Sequence, residues 1–167
     1  VMNAGAYGSE IKNILKSARV MTNEGEVLEL SRDELKLGYR TSCIPDRGYT
    51  VLEASFQLEP GDRAAIEARM KELAARRREK QPLEYPSAGS TFKRPQGYFA
   101  GRLIEDAGLR GYGMGGARVS EKHCGFVING GNATASDVMA LCGHIRKTVM
   151  EQSGVELEME VKRWGEF

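Results

Sequence analysis

The chain has 167 residues, 41% of them hydrophobic and 28% charged, with a net charge of +1. A chain of this size can bury a sizeable core. Its near-neutral balance offers no reason to expect nucleic acid or an anionic membrane as partner. No apolar run approaches the roughly 20 residues of a membrane helix, and residues 1–8 lack the basic and apolar stretches of a secretion signal. Three cysteines, Cys43, Cys124 and Cys142, are odd in number and form no CxxC pair. They read as small buried thiols in a reducing, cytoplasmic setting rather than as a disulfide framework.

Residues 1–8, VMNAGAYG, form a small-residue loop that opens without an initiator Met, so an upstream stretch is expected. Strands at about 17–21 and 27–30 flank Asn23-Glu24-Gly25, a turn signal, and predict a hairpin. Ser31 and Glu34 have capping-box spacing, which predicts a short helix ended by Gly38. A third strand is expected at 50–58. Pro60-Gly61-Asp62 then breaks the chain, and this is read as the domain boundary, giving 1–61 and 62–167.

Asp62 can cap a long helix over about 63–80, with Ile66, Met70, Leu73 and Ala74 on an inward face. The Arg76-Arg77-Arg78 run is better read as a solvated last turn complementing the helix dipole than as a phosphate patch. A Pro-, Ser- and Gly-rich loop follows at 81–96. A helix at about 98–107, with Leu103 and Ile104 inward, ends at Gly108. Strands near 117–120 and 126–129 precede a helix opened by Thr134 or Ser136 and reaching about Gln152. Its inner face is Val138, Leu141, Cys142, Ile145 and Val149. Alternation of Leu157, Met159 and Val161 with charged residues predicts a last strand over 155–163. The second half is therefore an α+β unit.

Gly111-Tyr-Gly113-Met-Gly115-Gly116 satisfies GxGxxG, but a dinucleotide fingerprint must follow a strand and open a helix. Here a helix precedes and a strand follows, so the stretch reads as a flexible connection, and Asp137 as a helix cap. His123 and Cys124 are adjacent, and neighbours in a strand point to opposite faces. His144 is isolated, and no metal site is expected. The loop Tyr85-Pro-Ser-Ala-Gly-Ser-Thr-Phe-Lys-Arg-Pro95 combines small residues, hydroxyls and two cations. Such a loop can hold a phosphate and offer a proton donor, or can be an ordinary turn-rich connection; composition leaves both open.

AGSTFKRP at 88–95, GRLIEDAGLRG at 101–111, GGARVSEKHCGFVIN at 115–129, NATASDV at 132–138 and LEMEV at 157–161 occur in order, preceded by MNAGAYG at 2–8 and LGYRTS at 37–42. This series resembles the UDP-N-acetylenolpyruvoylglucosamine reductases of peptidoglycan precursor synthesis, in the shorter type without an inserted tyrosine loop. The resemblance covers nearly the whole chain. It implies an α+β fold, with 1–61 as the second half of a flavin-binding domain and 62–167 as a substrate-binding domain.

The resemblance further implies FAD and NADPH as cofactors, UDP-N-acetylglucosamine enolpyruvate as substrate, and a monomer at full length. Ser90 matches the family's proton donor, Arg40 in GYRTS its active-site arginine, and Glu160 its catalytic glutamate. Asn3, Gly5, Ala6, Tyr7 and Gly8 match its flavin-contacting loop. Lys93, Arg94, Arg110 and His123 fall where cationic or imidazole donors suit a nucleotide-sugar diphosphate. Without the resemblance, Arg40 is one of 24 basic residues and Glu160 one acid on the polar side of an alternating segment. The first half of the family's flavin domain is expected to be absent, which would weaken FAD binding and expose apolar surface on residues 1–58. The competing readings are a non-catalytic UDP-sugar-binding fragment and a different flavoprotein of similar architecture; the Ser90 loop with the terminal Glu160 argues against the latter.

Overall fold

A computed structural model describes residues 1–165. They form two compact units, Val1–Leu73 and Ala74–Phe167, and the fold is α+β.

The first unit begins with β1 (Gly5–Ala6) and β2 (Ser9–Glu10), an antiparallel pair closed by Tyr7-Gly8. Both turn residues have positive φ, 54° and 82°, the requirement of a type I′ turn. A single 3₁₀ turn, Ile11–Asn13, leads into β3 (Leu15–Met21), which pairs with β4 (Val27–Ser31) as the expected hairpin. The Thr22 hydroxyl accepts from the Glu24 and Glu26 N–H groups and fixes the turn. β5 (Thr50–Phe56) pairs with the other edge of β3, giving the order β4-β3-β5. A bulge at Lys16 puts two β3 residues against one of β5, so Leu15 and Ala18 both face inward although three apart. They pack with Val20, Leu30, Leu35, Leu37, Cys43 and Ile44. Outside this core Ile14, Met21, Val51, Leu52 and Phe56 are exposed.

Two expectations in this unit are corrected. The helix at Ser31 is absent. The Ser31–Glu34 bonds form in both directions, but the chain makes only turns, because Lys36 takes a left-handed φ of 48° that a helix cannot continue. A four-residue helix that the sequence did not signal, α1 (Cys43–Asp46), appears instead, capped by the Ser42 hydroxyl.

α2 (Arg63–Lys80) has its predicted bounds and its Asp62 cap, which accepts from Ala65 N–H at 2.8 Å. Its inward face is corrected: no residue of α2 is buried, and Ile66 and Met70 are 49% and 65% exposed. The helix stands on strong helix formers and on the pairs Arg63–Glu67 and Arg69–Glu72.

In the second unit, α3 (Ala100–Asp106) ends where Gly108 turns left-handed, φ 73°. β6 (Gly113–Met114), β7 (Ala117–Val119) and β8 (Val127–Asn129) form an antiparallel sheet in that order. α4 (Ala135–Ser153) opens with a capping box between Thr134 and Asp137 and closes at left-handed Gly154. Leu141, Cys142, Ile145 and Val149 are its buried face and share a core with Phe92, Ile104, Ala117, Val119 and Leu157.

The glycine-rich connection before β7 packs closely at Gly115 and Gly116. Side chains at Gly115 and Gly116 would collide with the Asp137 carboxylate at 2.3 Å and with the Gly131 carbonyl at 2.3 Å. The two glycines exist so that this backbone can lie against the start of α4. The last strand is also corrected. Residues 155–163 form no strand and make one isolated bridge, Met159 with Phe92. Their alternation reflects one-sided packing of Leu157, whose carbonyl is held by Arg146.

Candidate functional site

In the first unit the structure brings Arg40 together with the loop at 3–8. Asn3 is buried, with 3% exposure. Its Oδ1 accepts from Lys12 N–H at 2.8 Å, and its Nδ2 donates to Glu10 Oε2 at 2.8 Å and to the Gly38 carbonyl at 3.1 Å. Gly38 and Thr41 pair in an isolated bridge around Tyr39-Arg40. Arg40 donates from Nη2 to the Gly5 carbonyl at 3.4 Å, and its guanidinium lies 5.2 Å from the Tyr39 ring centre. Asn3, Tyr7 and Arg40 all have positive φ, 45°, 54° and 52°. Side chains other than Gly avoid that region, and such strain concentrates at ligand sites. Both donors of the Asn3 amide are spent on the protein, so its side chain shapes the loop. Gly5, Ala6, Tyr7 and Gly8 form the adjoining hairpin, with open space where a Gly8 side chain would project.

In the second unit the loop of residues 81–96 follows the free edge of β8. Asn129 N–H donates to the Pro86 carbonyl, and Ser87 bridges Ile128. The loop then leaves the edge, with Gly89 at φ 85°, and returns at Thr91. Ser90 sits exposed on this arch, its hydroxyl donating to the Phe92 carbonyl at 3.3 Å. Glu160 lies on the facing segment, half-buried, and its N–H donates to the Thr91 carbonyl at 2.9 Å. Ser90 and Glu160, 70 positions apart in sequence, are thus held on two backbone segments that are bonded at the residue next to Ser90.

The four expected diphosphate contacts have separate settings. Lys93 forms an ion pair with Glu158. Arg94 donates to the Tyr98 carbonyl and stacks on Phe99, 3.9 Å from the ring centre. Arg110 pairs with Glu105 at 2.7 Å and donates to the Glu121 carbonyl, so it ties the end of α3 to the β7–β8 connection. That bond holds the Glu105 carboxyl below the usual range. His123 accepts from Gly125 N–H at its Nδ1, 3.0 Å, with its ring edge-on to Phe126. Partial desolvation lowers its pKa, and with Nδ1 accepting, the neutral ring carries its proton on Nε2. Beside the loop, a cleft of about 490 Å³ is lined by Tyr85, Arg118, Glu121 and Lys122.

Cys43, Cys124 and Cys142 are buried free thiols. Among the described residues no group of three or more His, Cys, Asp or Glu is arranged to hold a metal, and no helix is long and apolar enough to cross a membrane. Sequence reasoning missed Thr91 and the bonding role of Asn3; the buried hydroxyl and amide carry no pattern that composition could reveal.

The profile of the UDP-N-acetylenolpyruvoylglucosamine reductase C-terminal domain matches residues 81–164. The chain is 61% identical over 167 residues to the UDP-N-acetylenolpyruvoylglucosamine reductase of Agathobacter rectalis, covering all of this chain and 53% of that protein. It is 61% identical over 165 residues to the reductase of Lachnoclostridium phytofermentans, with 99% and 53% covered. The chain thus spans about half the length of these curated relatives. Among solved structures, the UDP-N-acetylenolpyruvylglucosamine reductase of Thermus caldophilus is similar with a TM-score of 0.83 and 34% identity, over 98% of this chain and 58% of that one.

Proposed function

The chain belongs to the UDP-N-acetylenolpyruvoylglucosamine reductase family, and from that premise we propose that it carries the substrate-reducing part of an NADPH- and FAD-dependent, cytoplasmic reductase that converts UDP-N-acetylglucosamine enolpyruvate to UDP-N-acetylmuramate. The observation that carries the proposal is the bonding of the Ser90 arch to the Glu160 segment, because this reaction needs a proton donor and a charged partner held in fixed relation.

The hairpin at 5–10 fits a flavin: its Tyr7-Gly8 turn is exposed, space is open at Gly8, and a guanidinium adjoins the Gly5 carbonyl. Gly5, Ala6, Tyr7 and Gly8 would hold it by main-chain groups, shaped by Asn3. FAD, when bound, supplies hydride drawn from NADPH. Hydride addition to the enolpyruvyl double bond leaves negative charge on the carbon next to the carboxylate. Arg40, with its planar donor fork, is assigned to hold that carboxylate in its enolate form. Ser90 is assigned to deliver the proton. A hydroxyl is a weak acid, but the developing carbanion is a strong base, so position matters more than a shifted pKa. Glu160 is assigned to assist charge and proton placement at the same carbon. Lys93, Arg94 and the Nε2–H of His123 are the donors offered to the diphosphate, and Arg110 acts chiefly by holding the His123 segment.

A second reading, a UDP-sugar-binding unit without redox chemistry, rests on the match of residues 81–164 to the family's C-terminal domain. Visible absorbance after incubation with FAD and gel filtration separates the two. A retained flavin band, with NADPH-dependent turnover lost in Ser90→Ala, supports the reductase. A colourless chain that still binds UDP-sugar in titration supports the second reading, and a chain that binds neither refutes both.

A further inference from the structure

The free edge of β8 presents two N–H groups, at Val127 and Asn129. Asn129 N–H is taken by a main-chain carbonyl, that of Pro86. Val127 N–H is taken by a side chain, the Thr91 hydroxyl, at 2.9 Å. Between these anchors the chain arches away from the edge, and Ser90 lies on the arch. Because the Thr91 hydroxyl accepts the Val127 bond, the Thr91 carbonyl remains available. It accepts from Glu160 N–H at 2.9 Å, while Thr91 N–H donates to the Gly125 carbonyl at 2.8 Å. Thr91 is 3% exposed. One buried residue therefore bonds three ways, to the turn at Gly125, to β8 and to the Glu160 segment, and the next residue back is Ser90.

We propose that Thr91 is the positioning residue of this site: it touches no reacting atom, and it sets Ser90 and Glu160 in register with each other by using its hydroxyl where a β-ladder would use a carbonyl. A plain ladder at this point would turn the carbonyl toward Val127 and away from Glu160, and would flatten the arch that presents Ser90. The functional meaning rests on the reading of Ser90 and Glu160 as the proton-delivering pair.

The test uses the 167-residue chain by NMR, with Thr91→Val and Thr91→Ser. In the unsubstituted chain a through-hydrogen-bond coupling should link the Glu160 amide nitrogen to the carbonyl of residue 91. Thr91→Val should abolish that coupling, move the Ser90 and Glu160 amide shifts, and speed exchange of the Val127 amide roughly ten- to hundredfold, as loss of a buried acceptor implies. Thr91→Ser should restore all three. If Thr91→Val speeds Val127 exchange but leaves the coupling and the Ser90 and Glu160 shifts unchanged, the hydroxyl merely supports β8 and the proposal fails. Should Thr91→Val not fold, native-state exchange of the unsubstituted chain decides: Val127 and Glu160 amides opening as one unit sustains the clasp, and Glu160 opening independently overturns it. None of these readouts involves turnover, so an unaffected Ser90→Ala would sink the catalytic reading alone.

Discussion

Asn3→Ala is the sharpest test of how the first unit holds its arginine. The substitution removes three hydrogen bonds at once, leaving Lys12 N–H, the Glu10 carboxylate and the Gly38 carbonyl without this partner. A buried group left unsatisfied costs about 1–3 kcal/mol. All three sites are only part-buried and water can reach some of them, so the sum should be about 2–3 kcal/mol. Asn3 also holds φ 45°, where alanine lacks the local hydrogen bonding that helps asparagine and costs roughly 1 kcal/mol more. The expected loss for Asn3→Ala is therefore about 3–4 kcal/mol. Asn3→Gly should be about 1 kcal/mol milder, because glycine enters the left-handed region freely. Protection of the Ala18 and Val20 amides, in the middle strand of the sheet, reads this unit separately from the other. A loss below about 0.5 kcal/mol, or no difference between the Ala and Gly variants, would refute the reasoning.

Gly116→Ala should destabilise the second unit by about 3 kcal/mol, since the new methyl would lie 2.3–2.4 Å from backbone atoms of Gly131 and Ala133. Gly143→Ala, inside α4 with nothing within 4 Å, should stabilise it by about 0.5–1 kcal/mol; thermal unfolding of the pair checks both signs. Asp137 is held below its ordinary range, first by the Thr134 N–H and then by the Thr134 hydroxyl and Gly116 N–H. A depressed acid stabilises above its unfolded pKa, so the start of α4 should loosen as pH falls through the folded value, below the usual Asp range near 3.8, as read by carboxyl NMR titration. Burial pushes the Cys142 thiol up to about 11, so a thiol reagent at pH 8 should leave it unmodified in the folded chain and modify it once urea unfolds the unit.

Elements whose signals are local were readable in advance. α4 is legible to within about two residues because its apolar spacing and its candidate caps, Thr134 or Ser136, are local to the segment. The β3–β4 hairpin was readable for the same reason. What failed was relational. Ile66 and Met70 have helical spacing on α2, yet both are exposed, and spacing alone cannot report burial. Ser31 and Glu34 make the bonds of a capping box, yet Lys36 turns left-handed and the following chain is drawn into the core by Leu35 and Leu37 instead. At Gly115 and Gly116 composition suggests freedom alone, while the clearance they give depends on where Asp137 and Gly131 lie in the fold.

The candidate site divides along the same line. Its chemistry was visible as residue types, a serine among small residues and an arginine before a Thr-Ser pair, but only the family resemblance separated Arg40 and Glu160 from the other charges. The framework was not visible at all, since Asn3 and Thr91 act through main-chain partners from 9 to 69 positions away. Such residues carry no distinguishing chemistry of their own. Their importance lies in which orphan N–H or carbonyl they satisfy, a property of the folded backbone. A site of this kind can therefore keep its reactive side chains and still fail if the neighbouring amide or hydroxyl is lost, and the Asn3 and Thr91 variants separate that failure from loss of the chemistry itself.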